Sequence, residues 1–273
     1  MSKVIITTDF SKISRHSLNY ACYLLAGRDV AVELLHIYSM PVSYAADGIA
    51  MSAIGNSIEV AEDNIEQELK YARTSHPGIP ITGRVVTGNF VETLQEEANA
   101  IQPSFIVLGT AGFTDINFGE DDPLNALRSL SVPVLFIPFG SEIRPIHHVA
   151  YACDYAGVGA HTPVRDIAGW VQLMQARLEV VHSDAGDRGA DDKQTKGEEW
   201  LRGQLEPLQP DFYWEKAPDV LAGITRFISD HDIDCVAMVP KKYGMWERLF
   251  RQSRTKALAR LNKIPVIAFN PKG

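Results

Sequence analysis

The chain is short of everything a disulfide-stapled, metal-centred or membrane-embedded protein needs. Three cysteines in 273 residues, Cys22, Cys153 and Cys235, are an odd number without C-x-x-C spacing. They sit inside apolar patterns and read as buried thiols, which excludes a disulfide frame and a zinc site. No apolar run approaches the roughly 18 residues that span a bilayer, so no membrane segment is expected. Met1-Ser2-Lys3 leads straight into an apolar strand without the h-region of a signal peptide, and a cytoplasmic location is the expectation. The basic excess of a nucleic-acid-binding surface is missing as well. The net charge is −8, whereas displacing counterions from phosphates calls for a strong positive balance. No G-x-S-x-G, G-K-[ST] or H-E-x-x-H motif occurs, and His147-His148 has no third ligand at metal spacing. Neither a catalytic residue nor a metal site is assigned.

What the chain does contain is the same pattern twice. Lys3-Val4-Ile5-Ile6-Thr7-Thr8-Asp9-Phe10 lines up with His148-Val149-Ala150-Tyr151-Ala152-Cys153-Asp154-Tyr155. Val32-Glu33-Leu34-Leu35-His36 lines up with Leu178-Glu179-Val180-Val181-His182, and Ser104 to Leu108 with Asp234 to Met238. Val132-Pro133-Val134-Leu135-Phe136-Ile137 matches Ile264-Pro265-Val266-Ile267-Ala268-Phe269. Asp, His and Pro recur at matching places, which hydrophobic patterning alone does not require, so an internal repeat is the organising fact. The second copy is shorter between its second and third strands, and Met40 to Asn56 is therefore expected as extra loop in the first.

Between the strands run helical stripes. In the first copy they are Leu18, Ala21, Cys22, Leu25; Ile58, Ala61, Ile65, Leu69, Ala72; and Val91, Leu94, Ala98, Ile101. In the second they are Val164, Ile167, Ala168, Val171; Leu201, Leu205; Leu221, Ile224, Ile228; and Thr255, Leu258, Leu261. Glu62, Glu66, Lys70 and Arg73 form a solvated helix face. Strands of nearly continuous Val, Ile and Leu are buried on both faces, and their alternation with helices implies right-handed crossovers and parallel sheets. The predicted fold is two tandem doubly wound, Rossmann-like α/β domains, each a five-stranded parallel sheet flanked by helices. The predicted domains are residues 1–141 and 146–273, separated by the polar Gly140-Ser141-Glu142-Ile143-Arg144-Pro145. Ligands of such sheets sit beyond the carboxyl ends of the strands, where Asp9, His36, Gly109 and their counterparts fall.

These strand ends carry a resemblance. Thr7-Thr8-Asp9-Phe10-Ser11, Leu34-Leu35-His36-Ile37, Gly109-Thr110-Ala111-Gly112 and Val132-Pro133-Val134-Leu135, in this order, resemble the universal stress protein family, as two tandem copies over almost the whole chain. The resemblance implies a stress-response role, pairing of the repeats through their last strands as an internal pseudo-dimer and, in one branch, ATP binding. On that branch's pattern, Thr7 and Asp9 would lie on the adenosine side, Ile37 at the base, and Gly109 and Gly112 at the phosphates, where a glycine loop lets amides approach. Here the pattern departs, because the next glycine, Gly119, comes early and is followed by Glu120, Asp121 and Asp122. A phosphate beside each such carboxylate faces on the order of 1–4 kcal/mol of repulsion, which a bound Mg²⁺ reverses. The same residues also suit an acidic first turn of the last helix with Pro123 near its start.

In the second copy Val239-Pro240-Lys241-Lys242 replaces both glycines and only Ser253 survives from the later motif, so no amide cradle is expected there. A basic stretch follows, Lys241, Lys242, Arg248, Arg251, Arg254, Lys256, Arg260 and Lys263 with Trp246 and Phe250. It reads either as an anion or partner surface or as a solvated face. Asp9 and Asp154 admit two readings, ligand contact or cap of the following turn, while His36 and His182 read as hydrogen-bonded structural groups. Two functions stay open. The first is a non-catalytic stress protein that binds a protein partner or small ligand, alone or as a homo-oligomer. The second is an ATP-binding, slowly hydrolysing protein that uses only the first repeat and Mg²⁺.

Overall fold

The computed structural model describes residues 1–39, 48–111, 130–184, 191–240 and 262–271. The described residues divide into two compact units, one ending at Phe139 and one starting at Gly140.

In the first unit, strands β1 (Ser2–Thr7), β2 (Val30–Tyr38), β3 (Ile81–Thr87), β4 (Phe105–Thr110) and β5 (Val134–Pro138) lie in the order β3-β2-β1-β4-β5. All the pairings are parallel, with Ile6 opposite both Leu34 and Val107. The helices between them are α1 (Lys12–Leu25), α2 (Gly48–Ser75) and α3 (Phe90–Ile101). Val4, Ile5, Ile6, Leu34, Leu35, Ile106 and Val107 are fully buried, as strands covered on both faces must be. Helix starts follow capping chemistry: the Ser11 hydroxyl accepts from the Ser14 amide, and the Asn89 side chain accepts from the amides of Val91 and Glu92.

The second unit repeats the plan. Strands β6 (His148–Ala152), β7 (Arg177–Asp184), β8 (Asp211–Lys216), β9 (Cys235–Met238) and β10 (Val266–Ala268) lie in the order β8-β7-β6-β9-β10, again parallel. Its helices are α4 (Val164–Met174), α5 (Asp192–Leu205) and α6 (Val220–Asp230). The α5 start is a capping box in which Asp191 and Gln194 each bond the other's backbone. The expected fold of two doubly wound five-stranded parallel domains is the observed one.

Some local expectations need correcting. The stretch Met40–Asn56, expected as loop, is helical from Gly48 onward. The long periodic helix that follows extends backwards through it, because adding a turn to an existing helix costs far less than nucleating one. In α4 the core takes Trp170 and Met174 beside Ile167 and Val171, while Val164 and Ala168 are only half-buried. Cys22 and Cys235 are buried as expected, with burial pushing Cys22 up to about 12, but Cys153 is half-buried. The Thr255–Leu261 stripe, the acidic Glu120–Asp122 run and the basic Lys241–Arg260 stretch lie outside the described residues.

The polar seam between α1 and α2 gives a pH prediction. His76 Nε2 donates to Asn19 Oδ1 at 3.0 Å, and the Asn19 amide donates to Tyr71 Oη at 2.9 Å. Burial lowers the His76 pKa from its ordinary value of 6.5. A histidine depressed in the folded state contributes stability that is complete above its unfolded pKa and is lost as pH falls through the folded one. The melting temperature is therefore expected to decline below about pH 6.5. A His76→Gln variant should show a shallower decline than the parent protein over the same range. Identical slopes would show that His76 has no part in it.

Candidate functional site

The strand order places the reversal of winding between β1 and β4, since β2 and β3 extend to one side of β1 and β4 and β5 to the other. The crevice beyond the carboxyl ends of these strands is the ligand position of open parallel sheets. Four residues named from sequence fall at those ends: Thr7 on β1, Asp9 just after it, Ile37 on β2 and Gly109 on β4. Gly112 and Gly119 lie outside the described residues.

Each of the four has a local role. Thr7 is 8% exposed and its hydroxyl donates to Val107 O at 3.3 Å, which ties β1 to β4 and leaves little of the side chain for a ligand. Gly109 is glycine for packing, because a Cβ there would stand 3.0 Å from Ile13 O and from Ser17 Oγ of α1. The closeness of α1 to β4 thus depends on this residue, whatever it does for phosphates. Ile37 is 9% exposed at the margin of the core. Asp9 is exposed, and its Oδ1 accepts from the Ser11 amide at 3.0 Å. Burial acts to raise the Asp9 pKa, but hydrogen bonds from Ser11 and Ser14 outweigh it and hold the carboxyl below its ordinary value. At neutral pH Asp9 is an anion at the mouth of the crevice.

Sequence reasoning passed over the residue next to it. Phe10 takes a left-handed backbone, φ 63°, uncommon for a bulky side chain and costing on the order of 1 kcal/mol or more. Its amide donates to Thr8 Oγ1 at 3.0 Å, and its ring lies 4.4 Å from the His36 ring, centroid to centroid. His36 is fixed in turn, since Nδ1 donates to Thr8 O at 2.7 Å. As the sequence suggested, this histidine is a hydrogen-bonded structural group. No sequence signal announces the left-handed Phe10, because propensity argues against it.

Across the second unit the equivalents behave alike at first. Asp154 is exposed and its Oδ1 accepts from the Ala156 amide at 3.0 Å, while His182 Nδ1 lies 3.2 Å from Cys153 O. At the other end of this sheet His148 Nδ1 donates to the buried Glu179 at 3.1 Å, with His231 Nδ1 3.1 Å from the same carboxylate. Among the described residues no group of three or more His, Cys, Asp or Glu side chains is arranged to hold a metal, and no helix is long and apolar enough to cross a membrane.

The two parallel sheets, each with its winding reversed beside its first strand and helices between the strands, define an α/β protein of the doubly wound class. The model of the universal stress protein family matches residues 1–137, and the chain belongs to that family. A universal stress protein from Archaeoglobus fulgidus DSM 4304 is similar at 15% identity, covering 99% of this chain and 97% of that one with a TM-score of 0.69. A functionally unknown protein from Pseudomonas aeruginosa PAO1 is similar at 15% identity, covering 99% of this chain and 93% of that one with a TM-score of 0.58. Both likenesses are of fold. No curated protein matches the chain.

Proposed function

We propose that this universal stress protein works by binding rather than by catalysis, and that its first half takes a small ligand of the adenine nucleotide class at the ends of β1, β2 and β4. The observation that carries the reading is the exposed, ionised Asp9 beside the Phe10–His36 stack at the switch point of the sheet. A carboxylate there accepts hydroxyl or amino hydrogens, and the adjoining ring edge favours a planar group. His36 Nδ1 is taken up by Thr8 O, which suits positioning better than proton transfer. In this reading the carboxylates Glu120, Asp121 and Asp122 that follow Gly119 make Mg²⁺ a co-ligand of the outer phosphates.

Calorimetric titration of the full chain with ATP, with and without Mg²⁺ and with AMP as a control, tests it. The expected result is one ATP per chain, tighter with Mg²⁺, and binding weakened at least about tenfold by Asp9→Ala, equivalent to about 1.4 kcal/mol. No heat under any condition would overturn the nucleotide reading and direct the search to protein partners.

A further inference from the structure

One buried carboxylate at the amino end of the second sheet is met by histidines where its repeat counterpart is met by an arginine. Glu179 on β7 is 4% exposed, and a buried anion is costly unless charge and hydrogen bonds compensate it. Its counterpart on β2, Glu33, accepts from Arg84 Nε at 3.1 Å and from the Thr82 hydroxyl at 2.7 Å. The registers agree in the two halves, with Glu33 opposite Thr82 and Glu179 opposite Asp211. Asp211 therefore stands in the place of Thr82 and Tyr213 in the place of Arg84. The second half has lost the guanidinium and gained an acid.

Two imidazoles take over. His148, at the start of β6, donates from Nδ1 to Glu179 Oε1 at 3.1 Å. His231, just past the end of α6, places Nδ1 3.1 Å from Oε2 but out of line, and Oε2 has no hydrogen-bonding partner among the described residues. A neutral His231 therefore gives this oxygen little, whereas a charged one attracts it, because Coulomb attraction depends on distance rather than on alignment. The His231 ring is held by a stack on Phe227, 4.0 Å and 22°, and by an edge contact with Tyr213 at 4.6 Å. The other groups nearby are already occupied or of the wrong charge. Arg177 on β7 feels the Glu179 charge but is exposed and paired with Asp211. Tyr213 is a neutral phenol, its pKa raised by burial and then by the charges of Glu179 and Asp211. Arg144 is paired with Asp234 and Arg226 with Glu215, and Asp230 and Asp232, on either side of His231, are exposed acids.

We propose that His148, Glu179 and His231 form a proton-operated clasp that ties the end of α6 to the starts of β6 and β7, closed while the imidazoles carry the extra proton and loosened as they lose it. Histidine is the side chain whose charge changes around neutral pH. The closed clasp holds more protons than the open one, so its stability is complete in mild acid and falls as pH rises. That is the reverse of the seam at His76, and it acts in the second half alone. The matching contact of the first half, Glu33 with Arg84, has no such dependence there, because a guanidinium keeps its charge throughout this range. A rise in pH thus loosens the end of α6 in one repeat and leaves the corresponding ion pair of the other intact.

Hydrogen exchange of the full chain, followed by mass spectrometry and corrected for the intrinsic rate at each pH, tests the clasp. The amides of His231 and Ile233 donate to Phe227 O and Ile228 O and report on the end of α6, with α4 as the control. Protection of residues 227–233 is expected to fall at least about tenfold between about pH 6 and pH 8.5, within the limit of about tenfold per pH unit for each proton released, while α4 is unchanged. Glu179→Gln keeps the shape and removes the charge, and it should abolish the dependence, as should His148→Gln combined with His231→Gln. Titration of the imidazole resonances in the parent protein needs no variant and should place the loss of both protons in the interval where protection falls. Constant protection across the range overturns the proposal, as do imidazoles that titrate while residues 227–233 stay equally protected. An equal pH dependence in Glu179→Gln overturns it as well.

Discussion

Arg15→Ala is expected to lower the stability of the protein by about 2–3 kcal/mol. Arg15 meets Glu68 through both Nε and a terminal guanidinium nitrogen, a two-point contact between α1 and α2. The guanidinium is 47% exposed but the carboxylate only 2%, so the partners are unequal. The ion pair raises the Arg15 pKa through its hydrogen bond with Glu68, and the same guanidinium lies 4.9 Å from the Tyr71 ring centroid. Removing Arg15 leaves a buried carboxylate without its cation, and that desolvation cost drives the prediction. The value sits below the roughly 3–5 kcal/mol of a fully buried pair because solvent screens the half-exposed guanidinium. Urea unfolding checks it through the midpoint at constant m. The double replacement Arg15→Met with Glu68→Leu should restore most of the loss, since an apolar pair of similar shape has no charge to strand. A single variant within about 0.5 kcal/mol of the parent would show that Glu68 is rehydrated at little cost.

The second large effect is expected at Asp234. Its Oδ2 accepts from the amides of both His147 and His148, at 2.8 and 2.9 Å, and its Oδ1 accepts from Arg144 at 2.8 Å. One side chain thereby fixes the segment that leads into β6 against the start of β9. Asp234→Ala strands two amide hydrogens and a guanidinium, and hydrogen bonds to charged groups contribute about 1.5–3 kcal/mol each, less than additively. A loss of about 3 kcal/mol is expected. Asp234→Asn keeps one acceptor oxygen and should lose roughly half as much. Amide exchange at His147 and His148 is the direct readout. Protection unchanged in the Ala variant would mean that another group takes over these donors.

Both residues bear on what could be read from the sequence. The strands were legible because burial on two faces leaves unbroken apolar runs, and the duplication confirmed each by its partner. Glu68 was legible in position only: it lies on the stripe with Ile65 and Ala72, yet its charge resembles that of Glu62 and Glu66 on the solvated face. Its partner, Arg15, comes from a different helix, and periodicity within one helix carries no information about a second. Asp234 aligned with Ser104 as the start of a strand, but its three donors come from a segment far away in sequence. At the candidate site, Asp9 and Gly109 were legible as strand-end residues. The packing role of Gly109 and the left-handed Phe10 were not, because both depend on how closely α1 returns to the sheet. The longer link of the second half, Tyr155 to Pro163 between β6 and α4 where the first half has only Thr8 to Ser11 before α1, was not legible, since matching strands carry no information about unequal links.

The contiguity of each strand set bears on how the chain is made. Strands β1 to β5 all come from residues before Phe139, although β1 must pair with β4 across about a hundred intervening residues. That pairing cannot start until β4 has left the ribosome, but it needs nothing from β6 onward. At synthesis rates of roughly 5–20 residues per second, the remaining half takes on the order of ten seconds to emerge. The first half therefore has time to complete its sheet before a second, similarly patterned set of parallel strands appears beside it. For two repeats with matching strands, that head start is a kinetic safeguard against a strand of one copy inserting into the sheet of the other.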